Sequence, residues 1–294
     1  MAPPSQTLFQ AIEEWIMQEP AVCAAVLFGS SARQGADIHR SDQWSDFDIH
    51  LVTSAPEKIT QVDWNRLMPA HKYRLHDLRP ATGGVHKLTV LFETGQIDLV
   101  IVPVTKLRLA RIGFGLGLER INRQLKLALN EINTCIRDGY QIIKGGESWG
   151  KFYAKVATQM KGVRLSDREA VILANRSLVD LVWIRQKITR GELGAAQHLL
   201  HHSLAETNYR LLRELRLRRD QPLPSFGLGR HVERLLPPTE LAWVRIDARC
   251  DPVELARAAE QSSDGMKSLM RLLVPNWTAP SLPGTNLSSL AGAE

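Results

Sequence analysis

Three aspartates and a glycine–serine pair carry the chemistry in this sequence. The apolar run 22–28 reads as a buried strand that stops abruptly at Gly29. Gly29 lets the backbone approach a ligand closely, and Ser30 can open a helix. A strand end, a Gly-Ser turn and a helix N-terminus make a seat for phosphate, because the first N–H groups have no partner within the helix. Asp46 and Asp48 follow, flanking Phe47. Residues two apart in a strand face the same side, so both carboxylates point one way. Held that close, they repel each other unless a cation lies between them. Hard oxygen ligands of this kind suit Mg²⁺, which combines a few carboxylates with substrate phosphates. A phosphate seat beside a metal seat points to nucleotide chemistry.

Asp98 is the third acid. Residues 85–92 and 96–102 are strand-like runs around Glu93-Thr94-Gly95, which predicts a hairpin. A lone carboxylate in an apolar strand is costly without a partner, and a strand beside the Asp46/Asp48 strand would bring Asp98 to the same metal. Ser30 would hold the β- or γ-phosphate, or would only cap the helix. Arg33, one helical turn on, would grip a phosphate or lie on the surface. Asp37 and Asp42 fall in a polar, loop-like stretch, 36–43, and read as solvated.

These residues carry a resemblance. Gly29-Ser30, Asp46-x-Asp48 and a later strand Asp98 resemble the active site of polymerase-β-type nucleotidyltransferases. More narrowly, Asp42-Gln43-Trp44-Ser45-Asp46-Phe47-Asp48-Ile49 and Leu91-Phe92-Glu93-Thr94-Gly95-Gln96-Ile97-Asp98-Leu99 resemble the aminoglycoside 6-adenylyltransferases. Arg190-Gly191-Glu192-Leu193 with Ala195-Ala196 resembles a stretch of that family's helical second domain, whereas Ser31-Ala32-Arg33-Gln34-Gly35 is closer to the small, general nucleotidyltransferases. The resemblance implies two Mg²⁺ ions, ATP or another nucleoside triphosphate as donor, and a small hydroxyl-bearing acceptor. An aminoglycoside such as streptomycin is the implied acceptor, which would make the chain an antibiotic-resistance adenylyltransferase. Asp46, Asp48 and Asp98 are then the metal and catalytic residues, and Gly29, Ser30 and Arg33 bind the triphosphate. Two readings of other kinds stand beside this one: a nucleotidyltransferase acting on a protein or tRNA end, and a non-catalytic nucleotide-binding module. A repulsive acid cluster argues against the latter.

The 294 residues suffice for a sizeable core and two domains. The chain is 44% apolar and 23% charged, ordinary for a globular protein, and no apolar stretch approaches a membrane span. No secretory signal is visible, so a cytoplasmic protein is expected. Cys23, Cys135 and Cys250 are far apart, lack zinc-ligand spacing and read as buried free thiols. The formal charge of +6 is unevenly spread. Residues 1–104 hold 8 Lys and Arg against 12 Asp and Glu, a net of −4; residues 105–294 hold 29 against 19, a net of +10. A basic half facing an acidic one would suit a triphosphate, or it is simply helix-rich and solvated.

The fold expected is α+β: a small mixed-sheet catalytic domain over 1–110, a helical substrate-binding bundle over 111–275 and a flexible tail over 276–294. Phe9, Ile12 and Ile16 predict a first helix, 47–53 a second strand, 62–68 a short helix, and 71–78 is read as a strand. Beyond Lys106 the period becomes helical, with helices predicted over 118–143, 152–160, 167–188, 193–217, 232–236 and 252–273. Ser166 and Asp251-Pro252 are start signals; Gly145-Gly146 and Gln221-Pro222-Leu223-Pro224 are breaks.

The helical half offers weaker candidates. Asp180 and Trp183 interrupt an apolar helix, where they would bind a cationic or sugar substrate. The alternative is an internal ion pair, with Arg176 or Arg185, and a core tryptophan. Arg210, Arg213, Arg216 and Arg219 read as the wet stripe of a helix or as a phosphate face. Only Tyr209 lies among them, so base stacking, and with it a nucleic-acid partner, is not expected. His71, His76, His201 and His202 have no carboxylate in a metal-ligand pattern and read as surface or packing residues.

Overall fold

The computed structural model describes residues 4–33, 45–81, 83–223 and 232–282. Asp37, Asp42, the loop 36–43 and most of the tail 276–294 therefore lie outside the described residues. The chain divides into two compact units, Met1–Val163 and Arg164–Glu294, and the architecture is α+β.

The first unit is built on one mixed sheet. Its strands are β1 (Val22–Phe28), β2 (Phe47–Thr53), β3 (Tyr73–Ala81), β4 (Val85–Phe92), β5 (Gly95–Pro103) and β6 (Gln141–Lys144), in the order β3-β4-β5-β2-β1-β6. β2 and β5 pair in parallel, and the other neighbours are antiparallel. A parallel pair needs a long connection. Here α2 (Pro56–Thr60), α3 (Trp64–Leu67) and the β3–β4 ribbon supply it. Alternation then sorts the side chains. Ala25, Leu27, Ile49, Leu51, Leu88, Val90, Ile97 and Leu99 share one core with Leu8, Ile12, Trp15 and Ile16 of α1 (Pro4–Gln18). Each fully buried aliphatic there contributes roughly 1.5–3 kcal/mol of transfer free energy. Lys144 on β6 closes the other end of α1: its ammonium donates to the carbonyls of Ile16, at 2.9 Å, and of Glu19, at 2.9 Å. The last helical carbonyls lack intrahelical partners, and a cation there also offsets the helix dipole.

The opposite sheet face carries Phe28, Asp48, His50, Asp98, Val100 and Val102. α4 (Val104–Gly115), α5 (Arg123–Ile136) and α6 (Gly146–Gln159) complete this unit. The helix expected over 118–143 is not continuous. A turn at 118–120 precedes α5, which is capped by Asn122, whose side chain accepts from Leu125 N at 3.0 Å. Residues 141–144 are an edge strand, with Ile142 pairing Val26 of β1. The β-branched pair Ile142-Ile143 finds a sheet edge there, and tertiary pairing outweighs local helical period.

The second unit is helical: α7 (Asp167–Thr189), α8 (Leu193–Leu199), α9 (Glu206–Arg218), α10 (Val232–Leu235), α11 (Pro238–Val244) and α12 (Pro252–Leu273). Ser166 and Glu169 form a reciprocal cap at the start of α7, and Asp251 accepts from Val253 N and Glu254 N before α12. The helix expected over 193–217 contains a π-helical turn, 200–205, between α8 and α9. Among the described residues no helix is long and apolar enough to cross a membrane. The three cysteines are free, but none is fully buried: Cys23 and Cys135 are half-buried and Cys250 is exposed.

Candidate active site

β1 ends at Phe28, and a four-residue 3₁₀ turn, Gly29–Ala32, follows instead of an α-helix. Gly29 has φ +76°, which favours glycine, and a Cβ there would lie 2.4 Å from Asp48 Oδ2. The turn and the acid are therefore built against each other. Ser31 Oγ donates to the Asp46 carbonyl at 3.2 Å, tying the turn to the start of β2.

The parallel register places Asp48 directly opposite Asp98, and the antiparallel hairpin places Thr89 opposite Asp98. Asp46 lies just before β2. Ligand oxygens of Asp46, Asp48 and Asp98 all lie within 4.8 Å of one another. Asp98 is 2% exposed and Asp48 8%. Asp98 Oδ1 accepts from Thr89 Oγ1 at 2.6 Å and from Gln96 Nε2 at 3.3 Å. Lys87 Nζ lies 2.5 Å from Asp98 Oδ2 and 3.8 Å from Asp48 Oδ1.

The electrostatics follow from that packing. Burial, with the neighbouring Asp46 charge added, pushes the Asp48 carboxyl up to about 7, against the pull of Lys87 and Arg33. Burial and then Asp98 push Asp46 upward as well. Cation compensation is thus incomplete. A compact set of three hard oxygen donors with surplus negative charge fits a divalent Mg²⁺-like ion.

No protein-family model and no curated protein matches this chain. Solved structures are similar to it. An aminoglycoside 6-adenyltransferase from Bacillus subtilis is 11% identical, with 91% of this chain and 87% of that one covered, at a TM-score of 0.33. A nucleotidyltransferase-like protein from Exiguobacterium sibiricum is 13% identical, with 91% and 74% covered, at a TM-score of 0.30. Likeness at this level assigns no activity.

Ser30 is 4% exposed, and its hydroxyl has no hydrogen-bond partner among the described residues. It does not cap a helix: Phe28 holds the cap position, without a side-chain bond. A buried hydroxyl without a partner is costly unless something fills its valence. Arg33 is buried, not on the surface, and its charge is felt at Asp48. Asp180 and Trp183 lie on α7 in the second unit. Asp180 accepts a close hydrogen bond from Ser203 Oγ, not from an arginine; Arg185 instead pairs with Glu260 at 2.6 Å. Trp183 is 53% exposed and is not a core residue. The arginine stripe of α9 is partly spent on internal pairs. Arg216 meets Glu240 at 2.8 Å, and Arg219 meets the same acid at 3.4 Å. His71 is buried and bonds Thr94 Oγ1 at 3.1 Å, a packing histidine; His76 is exposed and pairs with Tyr73.

Lys87, Thr89, Gln96 and His50 are site neighbours that sequence reasoning missed. Lys87 and Thr89 were within reach of it: counting back from the Glu93-Thr94 turn sets Thr89 against Asp98 and Lys87 on the same face. His50, two residues beyond Asp48, shares its face and meets Tyr153 OH of α6 at 2.5 Å. Burial pulls its imidazole down to about 4, so it is neutral and serves as a brace for α6.

Proposed function

We propose that the chain is a Mg²⁺-dependent nucleotidyltransferase that moves a nucleoside monophosphate, AMP from ATP, onto a hydroxyl of a small acceptor. The observation that carries this reading is the convergence of the Asp46, Asp48 and Asp98 oxygens within 4.8 Å, beside Gly29 and the buried Ser30 hydroxyl. Asp46, Asp48 and Asp98 would hold the metal. Bound there, Mg²⁺ supplies neutralisation of charge on the transferring phosphoryl group and the leaving diphosphate. The remaining work falls to the chain. Gly29 and Ser30 hold the triphosphate tail through a backbone amide and a hydroxyl, and Arg33 adds charge nearby. The acceptor oxygen forms its bond to the α-phosphorus as the α–β bridging bond breaks. Pyrophosphate departs, and the hydroxyl proton passes to Asp98. Thr89 and Gln96 fix the Asp98 carboxylate in one orientation for that transfer.

In this proposal residues 1–110 carry the transfer chemistry and residues 111–275 the acceptor side. An aminoglycoside is the acceptor suggested by the sequence resemblance, and the exposed indole of Trp183 is a surface on which a polycationic sugar could rest. The α9 arginines do not favour a tRNA or protein end as acceptor, since Arg216 and Arg219 are committed to Glu240. The test is incubation with each labelled triphosphate, Mg²⁺ and an aminoglycoside panel, reading pyrophosphate and labelled acceptor. Pyrophosphate release from no triphosphate with any acceptor, or release unchanged in Asp48→Asn, would overturn the proposal.

A further inference from the structure

The two oxygens of Asp98 are in different states. Oδ1 is bound by Thr89 and Gln96, at 2.6 and 3.3 Å, so it has little capacity left for another ligand. Oδ2 faces Lys87 at 2.5 Å, and the same ammonium lies 3.8 Å from Asp48 Oδ1. The lysine therefore spans the two strands at the position where a cation shared by Asp48 and Asp98 would lie. Its side chain is 24% exposed, against 3% for that of Asp98, so its stem lies along the wall while its head reaches the buried acid.

We propose that Lys87 is the resident cation of the metal-free site: a divalent ion must displace its ammonium from Asp98 Oδ2, and the freed ammonium then pairs with a phosphate of the bound nucleotide. Several facts converge on this. The three acids repel one another, and an ion pair with Lys87 lowers that repulsion when no metal is present. A divalent ion brought to the same oxygens repels the ammonium, which has a flexible four-carbon stem and whose second carboxylate, Asp48 at 3.8 Å, would be taken up by the same ion. Lys87 stands opposite Val100 on β5 and Arg79 on β3, with no acid directly opposite it on either strand. An anionic substrate beside the acids is then its natural new partner. The arrangement makes metal entry and phosphate binding interdependent, because each relieves a charge that the other creates.

The inference rests on the metal reading of the three aspartates. The experiment measures Mn²⁺ binding without nucleotide, by calorimetry and by the manganese paramagnetic resonance signal, for wild type, Lys87→Met, Lys87→Arg and Asp48→Asn. It is paired with thermal melting in EDTA. Lys87→Met should bind Mn²⁺ at least tenfold more tightly than wild type, melt lower in EDTA and gain more on adding Mn²⁺. Its affinity for a non-hydrolysable triphosphate at saturating Mn²⁺ should fall severalfold. Lys87→Arg, which keeps the charge, should stay near wild type in Mn²⁺ affinity and so separates charge from packing. Equal or weaker Mn²⁺ binding by a folded Lys87→Met would overturn the role of the lysine while leaving the metal site standing. If neither wild type nor Lys87→Met binds Mn²⁺, or if Asp48→Asn binds it as wild type does, the metal reading fails and takes the inference with it.

Discussion

Asp48 in the first unit and Glu214 in the second are both almost wholly buried, at 8% and 3% exposed, yet they are treated in opposite ways. Glu214 is surrounded by donors. Arg164 Nη2 reaches it at 2.8 Å, Arg218 Nε at 3.0 Å and Leu165 N at 2.9 Å. Burial pushes its carboxyl up, but these bonds overcome the push and hold it below the ordinary value. Asp48 has the Lys87 ammonium at 3.8 Å, shared with Asp98, and the pull of the Arg33 charge, yet its carboxyl is raised to about 7. A satisfied buried carboxylate joins helices together. An under-compensated one costs stability that a bound cation returns.

A pair of amide substitutions should separate the two carboxylates most widely. Asp48→Asn should lower turnover by about a thousandfold or more, since a metal clamp supplies several kcal/mol of barrier lowering. Its melting temperature in EDTA at pH 8 should equal or exceed that of wild type. Glu214→Gln should do the reverse, losing roughly 2–3 kcal/mol of stability while the folded fraction keeps its turnover. Pyrophosphate release and denaturant melts of both variants check this; a destabilised Asp48→Asn would erase the contrast.

Gly29→Ala should come next in size. The added Cβ meets Asp48 Oδ2 at 2.4 Å in a φ +76° backbone, so the carboxylate must move. Turnover should drop about tenfold to a hundredfold, because misplacement near 1 Å is costly in a positioned site. Mn²⁺ titration should show weaker binding with the fold retained.

The pH dependence follows from the sign of each shift. The folded-state value of Asp48 lies above its ordinary 3.8, so between that value and about 7 the native state binds more protons than the unfolded chain. Metal-free stability from this group therefore falls as pH rises toward 7 and is flat above it. Glu214 is depressed, so its contribution is present above its ordinary 4.5 and is lost as pH falls through the lowered value. Melting in EDTA from about pH 3 to 8 should show the downward slope shrink in Asp48→Asn, with the part due to Asp46 remaining, and the acid-side loss shrink in Glu214→Gln.

The smallest effect expected is at Ser30. Ser30→Ala should weaken binding of a non-hydrolysable triphosphate by roughly 1.5–3 kcal/mol, one hydrogen bond to a charged group. Calorimetry reads it, and unchanged affinity would remove the hydroxyl from the phosphate seat.

Much of the first unit was legible in the sequence because its signals are local. The alternation in 47–53 and in 85–102 and the hairpin turn are short-range facts, and they bring Asp98 level with Asp48 through the β2–β5 register. What was not legible depends on distant partners. Residues 141–144 look helical until β1 offers an edge. Asp180 invites an arginine by sequence proximity, but Ser203, 23 residues away, reaches it first. Arg216 and Arg219 look like surface residues because Glu240 is remote in sequence. Lys87 was overlooked although its face can be counted, because nothing in a strand's pattern tells a solvated lysine from one that bridges two acids.

Lys144 and its strand have a consequence for the order in which the protein can be made. Strand β6 covers the outer edge of β1, and its terminal ammonium seals the end of α1, so both await residues more than 110 positions downstream. During synthesis the nascent chain therefore holds β1 with an open row of amides and carbonyls until residue 144 has left the ribosome, and an open edge of this kind recruits other strands. A fragment stopped after β5 would keep every aspartate of the cluster and still tend to aggregate.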